Sequence, residues 1–186
     1  MQNLIASDIF GRTTALETLA GQLAPYPGRC LIVDPYKGAF RHFSGEPAAY
    51  ATFQSEVGLG AYIQSVRKAL HQATQPLTLI GFSVGASAIW ALSGGAGLPP
   101  GTRAFCFYGA QIRHYTAVMP RIDIELYFPE LEPHFDVDDL VRRLSGRKGV
   151  VCHRTTYRHG FINPMSVNFD PNAYTAYLQI LKEKIC

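Results

Sequence analysis

Gly81-Phe82-Ser83-Val84-Gly85 is the segment of this chain whose residue types and spacing best suit covalent chemistry. A serine with glycine two before and two after it fits a tight strand-to-helix turn that lifts the hydroxyl clear of its neighbours. Such a turn strains the backbone at the serine and crowds the flanking positions, so very small side chains are needed at Gly81 and Gly85. The helix beyond the turn would aim free N–H groups at the same point, where they favour a developing negative charge. A serine hydroxyl needs a base, and a histidine base needs a carboxylate to orient it.

Six histidines are present. His159, in Tyr157-Arg158-His159-Gly160-Phe161, follows the sixth apolar run of the chain, which places it on the same sheet edge as Ser83. His42 falls in the loop after the second run, His71 on a helix, His114 after the fourth run and His134 beyond the fifth. His153 lies within the sixth run, where its side chain is expected to point toward a packed helix. In the order serine, acid, histidine, the acid should follow the fifth run, in the stretch from Phe128 to Asp136. Asp136 is better placed to cap the helix opened by Asp138-Asp139, which leaves Glu130 and Glu132 as alternatives.

Positioning such groups requires a sheet, and the chain alternates accordingly. Apolar runs at Leu4–Ala6, Cys30–Val33, Leu77–Ile80, Ala104–Tyr108, Ile122–Phe128 and Gly149–Cys152 read as strands. Helical spacing appears at Thr13–Leu23, Tyr62–Ala73, Ala86–Leu92, Asp138–Leu144 and Asn172–Lys184, with a polar and aromatic loop from Tyr36 to Ala49. Continuous apolar strands separated by helices predict a mostly parallel sheet of about six strands, covered by helices on both faces. Ligands of such sheets bind beyond the C-terminal ends of the strands.

Composition supports one globular α/β domain spanning 1–186. At 186 residues, 47% apolar and 17% charged, with 17 Gly and 12 Pro, the chain can build a core without metals or disulfides. These proportions exclude a disordered, coiled-coil or collagen-like chain. No apolar run reaches the ~20 residues of a membrane helix. Asp8 interrupts the start too early for a secretory signal, so a cytoplasmic protein without membrane contact is expected. A net charge of +3 is too small to predict nucleic-acid binding. The basic cluster Arg142, Arg143, Arg147 and Lys148 suits the C-terminus of a helix. Cys30, Cys106, Cys152 and Cys186 lack metal or redox spacing, and the first three sit in apolar runs as reduced thiols.

Over essentially its full length the chain resembles the dienelactone hydrolase family of α/β-hydrolases. The resemblance rests on Asp8-Ile9-Phe10-Gly11, Asp34-Pro35-Tyr36, the Ser83 turn, Tyr108-Gly109, and His159-Gly160-Phe161 with Asn163-Pro164. It implies a compact fold that lacks the family's leading strands and carries little cap over the site. It further implies a triad of Ser83, Glu132 and His159, and an oxyanion hole from the N–H groups of Ile9 and Val84. Glu132 takes the acid position because the family's acid-bearing turn lies on Phe128–Glu132, with Pro129 replacing a glycine. The best-known members use cysteine where this chain has Ser83, which points to ordinary ester chemistry. Asn163-Pro164 stands where enzymes acting on dienelactone hold its carboxylate with arginine, which argues against that substrate.

The expected activity is therefore cleavage of a small carboxylic ester or lactone through an acyl-enzyme, with no metal or organic cofactor. Phe10, Tyr36, Tyr108 and Phe161 are the expected walls of the site, and Asp8 either tunes it electrostatically or caps the helix beyond Gly11. A thioesterase or peptidase would share these catalytic residues. The alternative from another class is a non-catalytic protein of the same fold that binds a small molecule or partner in the cleft. Oligomeric state is not legible at this level.

Overall fold

The apolar runs become six strands: β1 (Gln2–Ala6), β2 (Cys30–Val33), β3 (Leu77–Phe82), β4 (Arg103–Phe107), β5 (Asp123–Phe128) and β6 (Val150–Arg154). This computed structural model describes residues 2–24 and 30–185, so Cys186 lies outside the described residues. The strands form one sheet in the order β2-β1-β3-β4-β5-β6. Every neighbouring pair is parallel, sharpening the expectation of a mostly parallel sheet.

Alternate residues along each strand feed two separate cores. Leu4, Leu79, Cys106 and Leu126 face one side, under α3 (Gly58–Leu70), α4 (Val84–Ser93) and α5 (Val137–Leu144). Ile5, Ile80, Phe105 and Tyr127 face the other, under α1 (Thr14–Leu23) and α6 (Pro171–Ile185). The connections explain this division. The chain moves outward from β1 to β2 through α1, then turns back past β1 to β3 through α3. Right-handed crossovers in opposite directions must place these helices on opposite faces.

Phe82, Phe107, Tyr127 and His153 are register partners across β3 to β6. Their rings stack in sequence, with centroids 5.5, 4.7 and 4.6 Å apart. His153 Nε2 also lies 2.9 Å from Glu125 Oε2, and Glu125 Oε1 accepts from Lys184 Nζ of α6 at 2.6 Å. His153 thus faces the α6 side of the sheet, apart from Ser83.

Helix α2 (Glu46–Glu56) departs from the sequence reading, which extends the loop to Ala49 and begins a helix near Tyr62. It buries only Ala49 and Phe53, so it carries little apolar periodicity. Pro47 in its first turn was the local sign of its start. Thr13 caps α1 by accepting from Leu16 N, so capping does not fall to Asp8. Asp136 caps α5 by accepting from the N–H groups of Asp138 and Asp139.

Candidate active site

The C-terminal ends of β1, β3, β4, β5 and β6 converge on one rim. Because β2 and β3 lie on opposite sides of β1, the chain reverses direction between β1 and β3. That reversal leaves a crevice at the strand ends, the usual ligand site of open parallel sheets. Ser83 opens α4 directly above it.

Ser83 has φ 50° and ψ −110°, a strained backbone held from both sides. Its N–H donates to Phe107 O at 3.0 Å, and its carbonyl accepts from Ser87 N at 3.0 Å. Both flanking glycines are sterically required, each for its own reason. A Cβ on Gly81 would lie 2.6 Å from Ala86 Cα, whereas one on Gly85 would lie 2.2 Å from the Ala6 carbonyl oxygen. Gly85 thus seats the start of α4 against the end of β1.

His159 Nε2 lies 3.1 Å from Ser83 Oγ, and His159 Nδ1 lies 2.6 Å from Glu132 Oε1. The Glu132 side chain is only 6% exposed, which strengthens this contact by excluding water. Glu130, the sequence alternative, points away: its carboxylate is 53% exposed and 3.6 Å from Arg158. Arg154, at the end of β6, holds the acid-bearing turn through the carbonyls of Pro129 and Glu130. The same guanidinium pairs with Asp138 at 2.8 Å. On the histidine side, Asn168 Nδ2 donates to His159 O at 2.9 Å. Gly160 has φ 84°, and a Cβ there would meet Ser166 Oγ at 2.4 Å.

These groups open into a cleft of about 550 Å³. Ile9 and Val84 line it, and among the described residues neither N–H donates to a protein acceptor. Of the four expected wall residues, Phe10 and Tyr108 line the cleft, while Tyr36 and Phe161 do not. Tyr36 is instead buried, its hydroxyl donating to Ile9 O at 2.8 Å. Phe161 is fully buried, packed on Tyr108, Tyr157 and Tyr177. In both cases a large ring near a motif is consumed by the core. Cleft residues not foreseen include Glu46 and Ser166. Glu46 Oε1 accepts from Ser166 Oγ at 2.5 Å, and its sequence signal was the missed start of α2.

Asp8 is the most perturbed acid of the site. Its Oδ1 accepts from Phe10 N at 2.9 Å, and its Oδ2 from Asn163 Nδ2 at 2.5 Å. Burial of the carboxyl pushes its pKa up to about 6, against these hydrogen bonds and the nearby His159, which favour ionisation. Tyr108 is 1% exposed with φ 41°, and its ring centroid is 5.0 Å from that of His159. Its hydroxyl has no partner among the described residues, and burial raises its pKa well above the ordinary phenol value. Among the described residues, no three His, Cys, Asp or Glu side chains are arranged to hold a metal ion, and no helix is long and apolar enough to cross a membrane.

The architecture is that of the α/β-hydrolases. A candidate dienelactone hydrolase from Klebsiella pneumoniae superposes with a TM-score of 0.72 at 14% identity, covering 98% of this chain and 85% of that one. A dienelactone hydrolase-like promiscuous phosphotriesterase from metagenomic libraries gives 0.66 at 17% identity, covering 98% and 86%. A metagenome-derived lipolytic enzyme gives 0.64 at 10%, covering 99% and 92%. At these identities the likeness speaks for the fold. In sequence, the chain is 29% identical over 186 residues to the uncharacterized protein YczH of Bacillus subtilis strain 168, covering 96% of this chain and 89% of that protein. No family model matches the chain.

Proposed function

We propose that this protein is a serine hydrolase that cleaves a small carboxylic ester or lactone. The observation that carries the reading is the continuous relay from Ser83 through His159 to Glu132, at 3.1 and 2.6 Å. Ser83 Oγ attacks the acyl carbon while His159 Nε2 takes its proton. Glu132 orients the ring and stabilises the imidazolium that forms. The N–H groups of Ile9 and Val84 receive the carbonyl oxygen as it becomes an oxyanion. Loss of one such donor typically costs about 3 kcal/mol of transition-state stabilisation. His159 returns the proton to the leaving alkoxide, and the alcohol departs from the acyl-enzyme. A water that gives its proton to His159 then attacks the acyl carbon, releasing the acid and restoring Ser83.

A fluorophosphonate probe tests the reading directly, beside hydrolysis of short aryl esters and lactones. Labelling at Ser83 with ester turnover, both abolished by Ser83→Ala, is the expected result. Folded protein that neither labels nor turns over any ester between pH 6 and 9 would instead support a non-catalytic binder.

A further inference from the structure

On the β1 side of the cleft, three polar residues of the lining lie beside the ester relay and have no assigned part in it. The Tyr108 hydroxyl is buried and has no hydrogen-bond partner among the described residues. Glu46 lends one oxygen to Ser166 Oγ, and its second oxygen has no partner among the described residues. Asp8 holds its carboxylate nearby, with each oxygen taking a single protein hydrogen bond. Asp8, Glu46 and Tyr108 line one cleft, and the two carboxyl groups lie close enough to disfavour ionisation of one another and of the Tyr108 phenol. The rings of Phe10, Tyr50 and Tyr108 line the same cleft.

A buried hydroxyl left without a hydrogen bond is destabilising unless something supplies its partner. Two carboxylates beside it attract positive charge and repel negative charge, and aromatic faces add attraction for an ammonium ion. The cations of the cleft, Arg113 and Arg158, lie beyond β4 and β6 and are otherwise engaged. Arg113 donates to Ala110 O and lies over Phe135, and Arg158 faces Glu130. Neither pairs with Asp8 or Glu46 among the described residues.

We infer that Tyr108, Asp8 and Glu46 form a recognition subsite for a protonated amine carried by the substrate. The site would thus select aminoalkyl esters and reject esters bearing a carboxylate. As a specificity determinant the subsite rests on the hydrolase reading; as a binding site for ammonium it does not.

Two measurements separate these layers. Calorimetric or NMR titration of wild-type protein with n-butylammonium, n-butanol and n-butyrate reads the subsite without catalysis. Butylammonium is expected to bind at least tenfold more tightly than either analogue. Glu46→Gln, which keeps a side-chain oxygen for Ser166, should weaken it at least fivefold. Tyr108→Phe, which removes only the hydroxyl, should weaken it about threefold, and Glu130→Gln should leave it unchanged. Equal or tighter binding of butanol or butyrate, or no response to Glu46→Gln and Tyr108→Phe in folded protein, overturns the subsite. Kinetics then compare 2-(dimethylamino)ethyl butyrate with 3-methylbutyl butyrate at pH 7. A kcat/KM ratio above ten that collapses in Glu46→Gln supports the specificity role, and a ratio near one overturns it. Selective ammonium binding without turnover of either ester would leave the subsite standing and remove the hydrolase reading alone.

Discussion

Glu130 and Glu132 are separated by one leucine, yet the turn that carries them assigns one to solvent and the other to His159. A carboxylate with 6% exposure, 2.6 Å from Nδ1, fixes the imidazole tautomer; one with 53% exposure cannot. Glu132→Gln should therefore lower kcat by about 10³-fold, whereas Glu130→Gln stays within about threefold, as steady-state kinetics on an aryl ester would report. The reverse order would reassign the acid. At this scale the serine and histidine were legible because their neighbours are glycines with steric duties: Gly81, Gly85 and Gly160 each exclude a Cβ. The acid was not legible from spacing, since residues two apart in a turn have no fixed facing. The aromatic walls were half legible. Tyr36 and Phe161 share the ring chemistry of Phe10 and Tyr108, and only packing separates the two pairs.

Among the elements, strand ends and turns hold the relay more than the helices do. Arg154 ties the end of β6 to the acid turn through two carbonyls, those of Pro129 and Glu130. Arg154→Met keeps most of the aliphatic stem and should lower kcat about tenfold with KM nearly unchanged, because a slight displacement of Glu132 misaligns His159. Partial recovery of kcat in Arg154→Lys, which restores a donor, would mark the residue as positioning. Helix interiors tolerate the opposite change. Gly60 in α3 has nothing within 4 Å of an added Cβ, so Gly60→Ala should stabilise the fold by about 0.5–1 kcal/mol in urea titration. Gly85→Ala should abolish folding or cost more than about 3 kcal/mol, because the colliding atoms are backbone. The strands were readable because burial on both faces makes them continuously apolar. Helix α2 was not, since two buried side chains in eleven residues leave no periodic trace.

For the molecule as a whole, Asp8 links the site to the pH dependence of stability. Its pKa is raised from 3.8 to about 6, so the folded state binds its proton more tightly than the unfolded chain does. Stability from this group is full below about pH 4 and declines as pH rises to about 6. The decline amounts to about 3 kcal/mol at 1.36 kcal/mol per unit. Denaturation of wild type and Asp8→Asn should show the difference moving in favour of the variant by about that amount between pH 4 and pH 7. A difference independent of pH would place the Asp8 pKa near its ordinary value. The parallel order of the sheet could be anticipated from alternating runs, but the reversal at β1 could not, because strand order depends on which crossover turns back. That reversal brings β1 against the opening of α4, where Gly85 rests on the Ala6 and Ser7 carbonyls. The gap between the Ile9 and Val84 amides is consequently gauged first by main-chain contact, with the Tyr36 hydroxyl on Ile9 O holding the far side. Substitutions around the rim can alter which molecules are admitted, but the spacing of the two donors will resist revision.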